Sequence, residues 1–199
     1  MPWRKLTTGE KLLLTSVFGP GTLPYDDQEI TRNDEQYGGK DNSITPGNIP
    51  NMAISIWSLD YSSSSVSDDD RWTFIHEFGH AWSWYHGGHN ILGFVGTWLH
   101  MTVTLRSYDD AYYYDLSDSS NLMGYNLEQR ASIIADFWYI SKGYPPKYNN
   151  GSKKSLADYQ PFIVQVRTSG PAEQSQGITM QQYVTGRDSD GNSRIYRPL

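Results

Sequence analysis

Cysteine is absent from the 199 residues of this chain. Disulfide scaffolds, zinc sites built from thiolates and catalysis by cysteine are therefore excluded. Long apolar runs are missing as well. The longest one near the start is Leu12–Leu14, whereas a membrane span needs about 20 apolar residues and the core of a signal peptide roughly 7–15. We therefore expect no membrane-spanning helix and no export signal within the sequence.

Positive charge is low relative to negative charge. Lys and Arg together number 16 against 22 Asp and Glu, which gives a net charge of -6. This balance does not favour a broad surface that binds phosphates, so nucleic acid is not among the expected partners. Hydrophobic residues make up 37% and aromatic residues 14% of the chain. That content is sufficient for one folded domain with a core.

Capping signals and apolar spacing predict several helices and a few short strands. The predicted helices run from Thr8 to Val17, from about Arg71 to Tyr85, from Leu127 to Ser141, and from Leu156 to Val166 around Pro161. The predicted strands cover Tyr25–Thr31, Ala53–Trp57, Trp98–Leu105 and Ala111–Leu116. These elements predict an α+β fold, with a core domain over residues 1–147 and a C-terminal extension over residues 148–199 packed on it.

The sequence His76-Glu77-Phe78-Gly79-His80 carries the clearest chemical signal. On a helix, residues four apart lie on the same face, so both imidazoles can bind one Zn2+ ion. Glu77 is about 100° around the helix from His76. It therefore lies beside the metal, where a general base that deprotonates water must be.

A catalytic zinc site needs a third protein ligand and one open position. One candidate is His86, because metzincin peptidases extend the motif to a third histidine at this spacing and have a Met-turn, which Met123 would supply. Their pattern, however, has a glycine where this chain has Ser83. That glycine lets the backbone leave the helix so that the last histidine can return to the metal. With Ser83 there, the helix is expected to continue past His86.

The other candidate for the third ligand is Glu128, in the first turn of the helix that starts at Leu127. Gluzincin peptidases take their third ligand, a glutamate, from a separate downstream helix. Ala131 and Ala135 are small enough to let that helix approach closely. Asp136, eight residues after Glu128, is then placed to accept a hydrogen bond from the free ring nitrogen of a zinc-bound histidine.

Several segments make a family resemblance specific. They are Leu6-Thr7 with Gly9-Glu10, Val17–Gly19, Phe74–Trp82, and Tyr125–Gln129 continuing through Ile133–Asp136. Through these segments, which span roughly residues 6 to 139, the chain resembles the zincin metallopeptidase domains of VgrG-related proteins. Such domains are toxic effector modules of bacterial type VI secretion.

The resemblance implies His76, His80 and Glu128 as zinc ligands and Glu77 as the catalytic base. It also implies hydrolysis of peptide bonds by an antibacterial effector that acts in the periplasm of a target bacterium. The partners would then be a protein or peptide substrate, an immunity protein and a secretion spike protein. Tyr125 is a candidate oxyanion stabiliser, and the strand at Ala53–Trp57 is a candidate edge for substrate pairing. Two alternatives stay open: hydrolysis of a non-protein amide of the cell wall, and a non-catalytic binding module stabilised by zinc.

Overall fold

The computed structural model describes residues 3–34, 41–86 and 111–172. Within these ranges the chain forms four α-helices and one three-stranded sheet, so the predicted α+β class is confirmed. The helices are α1 (Thr8–Phe18), α2 (Asp68–His86), α3 (Leu127–Ser141) and α4 (Leu156–Arg167), and the strands are β1 (Trp3–Lys5), β2 (Glu29–Asn33) and β3 (Asn51–Ala53). The strand predicted over Trp98–Leu105 lies outside the described residues.

The sheet has β2 in the middle, antiparallel to β1 and parallel to β3. Strand β2 begins at Glu29, later than the strand predicted from Tyr25. The carbonyl of Pro24 accepts hydrogen bonds from the backbone N–H groups of Asp27 and Gln28. A turn therefore occupies the first part of the predicted strand Tyr25–Thr31.

The third strand also differs from the prediction. Asn33, the last residue of β2, pairs with Ala53, so within the described part of the chain the residues beyond Ala53 have no paired strand beside them. They form a 3-10 turn over Ile54–Ile56 in place of the predicted strand. On the other side of β3, Asn51 forms an antiparallel bridge with Ile44. The edge predicted to pair with a substrate is therefore partly occupied by the chain itself.

A buried carboxylate joins the first strand to the first helix. Glu10 and Thr7 form the predicted capping box of α1. The Glu10 side chain, which is fully buried, also accepts two hydrogen bonds from the Arg4 guanidinium at 2.6 and 2.7 Å. The backbone N–H of Tyr61, which precedes α2, donates to the same carboxylate at 2.8 Å. Because it is fully paired, this charge can remain in the interior at little cost.

The two central helices, α2 and α3, pack against each other through small residues. A Cβ atom built on Gly79 would lie 2.8 Å from the Cα of Ala131, so the backbones meet almost directly. On its other sides α2 buries large side chains in the core, among them Phe74, Phe78 and Trp82. This close approach brings the first turn of α3 beside the middle of α2.

The segment that leads into α3 is not the strand predicted over Ala111–Leu116. Within it, Tyr114 alone forms a bridge, parallel to Asn149. Two backbone hydrogen bonds form this bridge: the N–H of Tyr114 donates to the carbonyl of Tyr148, and the N–H of Asn150 donates to the carbonyl of Tyr114. A turn at Asp115 follows, so pairing cannot extend.

The last described helix, α4, continues through Pro161 and packs against α3 and α1. Its buried residues, Tyr159, Phe162, Ile163 and Val166, belong to the same core as the rest of the domain. Arg167 Nε donates to the carbonyl of Val17 at 3.0 Å. A division of the chain at residue 147 stays a prediction. None of the described helices combines the length and the apolar character needed to cross a membrane.

Candidate metal centre

The histidines of the motif lie one turn apart on α2, as predicted from their spacing. Their Nε2 atoms are 3.2 Å apart. The backbone oxygens and N–H groups of the helix are satisfied along this stretch, because α2 continues from Asp68 to His86 without a break. The helix therefore holds both imidazoles toward one point, and that point faces α3.

Glu128 supplies the third group from the first turn of α3. The capping box of Asn126 and Gln129, which was predicted, fixes the start of this helix. Glu128 Oε2 lies 3.1 Å from His76 Nε2 and 3.2 Å from His80 Nε2. The side chains of His80 and Glu128 each keep 13% of their surface exposed, whereas that of His76 keeps 4%. The cluster therefore sits at the edge of the core with one accessible side.

The three ligand atoms fit a tetrahedral metal site. In such a site with bonds of roughly 2.0–2.1 Å, neighbouring ligand atoms lie about 3.3 Å apart. The edges of the observed triangle, 3.1, 3.2 and 3.2 Å, are close to this value. Two imidazoles with one carboxylate are also the donor set that zinc takes in catalytic sites. Among the described residues, His76, His80 and Glu128 are the group of side chains that could hold a metal ion.

The charges of the cluster are strongly coupled. Burial alone would lower the pKa of His80, but the Glu128 carboxylate outweighs it and raises this pKa to about 9. Burial would likewise raise the pKa of Glu128, yet the charges and hydrogen bonds of His80 and His76 hold it well below its ordinary value. The Glu128 carboxylate therefore favours positive charge at the point where the two imidazoles meet.

Glu77 is buried beside the cluster and is held by a residue that the sequence did not indicate. Thr45 Oγ1 donates a hydrogen bond to Glu77 Oε2 at 2.7 Å. Burial raises the pKa of Glu77, against the opposing effects of His80, His76 and Thr45. A carboxylate with a raised pKa is better matched to accepting a proton near neutral pH. Thr45 lies 32 positions before Glu77 in a loop, and no local pattern marks it.

Asp136 does not make the predicted hydrogen bond to a histidine. Its carboxylate accepts from Trp72 Nε1 at 2.8 Å and from the Tyr114 hydroxyl at 2.6 Å. Asp136 is two turns beyond Glu128 on α3, so it faces the first turn of α2 instead of the ligands. Near His76 Nδ1, at 3.5 Å, the structure places Ser132 Oγ, which is one turn after Glu128.

Tyr125 does not face the cluster either. Its hydroxyl donates to the carbonyls of Asp115 and Ser119, at 2.9 and 3.1 Å, and closes the turn before α3. This position does not support the predicted role in stabilising an oxyanion. The tyrosine beside the ligands is Tyr112, whose ring stacks on His76 at 5.5 Å between centroids. Fifteen tyrosines in the sequence offered no basis for choosing between them.

The alternative third ligand, His86, lies away from the other two. The helix continues through Ser83, as expected in the absence of glycine there, and ends at His86. The Nε2 atom of His86 is 2.7 Å from the carbonyl of Thr22. Met123 is exposed in a short 3-10 turn over Leu122–Gly124, which does not favour a Met-turn packed under a metal. The geometry therefore favours Glu128 over His86.

The close contact between α2 and α3 leads to a prediction about stability. Gly79→Ala would place a Cβ atom 2.8 Å from the Cα and 3.0 Å from the Cβ of Ala131. We expect the free energy of unfolding to fall by about 1–3 kcal/mol, as overpacking in a core does, although alanine favours a helix by roughly 1 kcal/mol over glycine. Urea unfolding measures the change. Gly47→Ala is the control, because no atom lies within 4 Å of a Cβ built there; a stabilised Gly79→Ala variant would contradict the close packing.

The fold and the cluster together define an α+β domain with a candidate His-His-Glu metal centre. No family model matches the chain. It is 32% identical over 143 residues to the type VI secretion system spike protein VgrG2b of Pseudomonas aeruginosa. This match covers 68% of the chain and only 13% of that protein, so the chain corresponds to a small part of its length.

A solved structure narrows the relationship to one part of that protein. The effector domain of Pseudomonas aeruginosa VgrG2b superposes with a TM-score of 0.58 at 25% sequence identity. The superposition covers 70% of this chain and 75% of that domain. The chain therefore resembles the VgrG2b effector domain in both sequence and fold.

Proposed function

We propose that the chain is a zinc-dependent peptidase with a zincin-like fold that acts as an effector of type VI secretion. The observation that carries this proposal is the arrangement on α2 and α3. Three ligand atoms within 3.2 Å of one another adjoin a buried glutamate that is next in sequence to one of them. A purely structural zinc site would need a fourth side chain, which the described residues do not add to this group, and would gain nothing from a buried Glu77.

The side chains would divide the chemistry as follows. His76, His80 and Glu128 would hold the ion, and Glu77 would act as the base. A zinc ion bound there would supply Lewis acidity, which polarises a carbonyl and makes water more acidic. Glu77 would accept the proton of the attacking water and pass it to the leaving nitrogen of the peptide. Thr45 would keep the Glu77 carboxylate oriented through both transfers.

The biological role in the proposal comes from the relatives. The protein that this chain resembles is named a type VI secretion spike protein, and the matching domain is named its effector domain. By analogy, this chain would be delivered with a secretion spike and would act in the periplasm of a target bacterium. A producing cell would then need an immunity protein as protection.

Metal removal tests the catalytic part of the proposal. We expect the purified chain to contain about one zinc ion, because the described residues offer one cluster of ligands. We also expect it to cut members of a mixed peptide library. A chelator should abolish cleavage, and added zinc should restore it. Cutting of purified peptidoglycan with the peptides left intact would instead favour the cell-wall amide hydrolase, and zinc without any cleavage would favour the binding module.

The site of action needs a separate test in cells. The chain is expressed in a bacterial host with and without an added export leader. The proposal predicts growth arrest when the chain is exported and normal growth when it stays in the cytosol. Equal toxicity in both compartments would contradict a periplasmic target.

A further inference from the structure

The orientation of the His76 ring is not fixed in the usual way. Histidines that bind metals generally donate their second ring N–H to a carboxylate or a backbone carbonyl. Among the described residues, the Nδ1 atom of His76 has Ser132 Oγ at 3.5 Å, which is at the limit of a hydrogen bond. A contact of this length holds the ring only weakly, so other contacts must set its orientation.

Aromatic stacking supplies those contacts. The Trp72 indole, one turn before His76 on α2, stacks on the imidazole with 5.0 Å between ring centroids and 24° between planes. The Tyr112 ring also stacks on it, at 5.5 Å and 27°. Tyr148 packs against both Trp72 and Tyr112, at 5.5 and 5.1 Å. The imidazole therefore lies among rings whose own positions determine how far it can turn.

Trp72 in turn is anchored to α3 through Asp136. The indole Nε1 donates to Asp136 Oδ1 at 2.8 Å. The same oxygen accepts from the backbone N–H of Lys147 at 3.0 Å, and Oδ2 accepts from the Tyr114 hydroxyl at 2.6 Å. Asp136 is fully buried. With these donors around it, the carboxylate cannot move without breaking several hydrogen bonds at once.

Lys147 fixes the indole from another side. Its Nζ atom lies 4.7 Å from the centroid of the Trp72 ring, and it forms an ion pair with Asp69 at 2.7 Å. Cations prefer this position over the face of an indole. Trp72 is thus held at its nitrogen by Asp136 and over its ring by Lys147.

We propose that Asp136 and Trp72 are a pair of positioning residues that set the His76 imidazole for metal binding. The inference rests on the proposed metal centre. α3 carries both Asp136 and the third ligand Glu128, while α2 carries both Trp72 and His76. The hydrogen bond from Trp72 to Asp136 therefore ties the orientation of the first ligand to the helix that carries the third.

Zinc affinity tests the pair without any substrate. The metal-free chain is titrated with Zn2+ against a chromophoric chelator. Trp72→Phe keeps a ring against His76 but removes the N–H that anchors it, and we expect its affinity for zinc to fall roughly 10-fold to 100-fold, as outer-shell changes at metal sites do. Trp82→Phe is the matched control. Trp82 is also buried on α2, but its Nε1 donates to Ser169 Oγ and its ring contacts His86; its affinity should stay within about threefold of the wild type.

A second variant and a spectrum complete the test. Asp136→Asn places an amide N–H2 among donors and should lower the affinity by a similar factor. Because both residues act through one hydrogen bond, the double variant should lose little more than the worse single variant. Bound Co2+ should change its visible absorption in both variants and not in Trp82→Phe. If Trp72→Phe fails to fold, the zinc affinity and the Co2+ spectrum of Asp136→Asn test the proposal.

Three results would overturn the inference. Wild-type affinity in folded Trp72→Phe and Asp136→Asn would show that the pair does not position His76. An equal loss in Trp82→Phe would assign the effect to general destabilisation of α2. Failure of the wild-type chain to bind zinc at all would remove the metal centre and, with it, both the proposed function and this role.

Discussion

Replacing Glu128 with alanine is expected to lower the affinity for zinc by at least about 100-fold. Changes in groups that only support metal ligands cost roughly 10-fold to 100-fold, and loss of a ligand should exceed that range. Of the three described ligands, the two imidazoles would remain. The fold should tolerate the change, because the cap of α3 depends on Asn126 and Gln129 and not on Glu128. Competition with a chromophoric chelator measures the affinity, and circular dichroism checks the fold.

The control for this prediction is His86→Ala. His86 lies on the same helix as the two ligand histidines and was the alternative third ligand. His86 is the last residue of α2, and its Nε2 atom is 2.7 Å from the Thr22 carbonyl, so its removal should leave zinc binding unchanged. If His86→Ala released zinc and Glu128→Ala retained it, the metzincin-like ligand set would be right and the arrangement described for α3 would be wrong.

The helices of this domain were predictable because their signals are local. Thr7 with Glu10 and Asn126 with Gln129 form capping boxes that also appear in the structure. These signals depend on residues within one turn, where helix geometry alone decides which groups meet. The same helix geometry allowed the sequence to predict that His76 and His80 lie on one face of a helix, with Glu77 beside them. Glu128 was a candidate because gluzincin peptidases take a glutamate from a downstream helix, and the small residues Ala131 and Ala135 only supported a close approach of α3.

The strands and the supporting contacts could not be predicted in the same way. A strand needs a partner, and Ala53 is the last residue of β3 because β2 ends opposite it. The sequence around Ala53–Trp57 contains no information about that partner. Asp136 was expected beside a histidine from its position on α3, yet Trp72 and Tyr114 take its oxygens. Which donor reaches a buried carboxylate depends on how distant segments pack, and periodicity does not encode this.

The position of Glu77 connects the fold to the proposed reaction. Glu77 follows His76 directly in the sequence and is buried. The hydrogen bond that it accepts comes from Thr45, in a loop that is distant in sequence. Burying a carboxylate with few partners costs free energy, and such groups are found most often at functional sites. Thr45 offers a single hydrogen bond, so the other carboxylate oxygen stays available for a water molecule or a substrate. The buried carboxylate thus lies at the point where the proposed reaction needs a base.

Glu77→Gln is expected to bind zinc as the wild type does and to cleave peptides about 100-fold to 10,000-fold more slowly, the range that a general base contributes. Glutamine has the same shape, and its carbonyl oxygen can still accept the hydrogen bond from Thr45. It cannot accept a proton, so the chemical step alone should suffer. Zinc content and kcat are measured on the same preparation, and exported Glu77→Gln should no longer arrest growth of the bacterial host.

Thr45→Val is expected to have a smaller effect on kcat than Glu77→Gln. Valine matches the shape of threonine but removes the hydroxyl that donates to Glu77 Oε2. Zinc binding should again be unchanged, and kcat should fall by roughly tenfold, in line with one lost hydrogen bond to a charged group, while Thr45→Ser should restore most of the rate. If Glu77→Gln kept full activity, Glu77 would not be the base, and the buried carboxylate would have to be explained by packing alone. A Thr45→Val variant that lost zinc would instead place Thr45 in the support of the metal ligands.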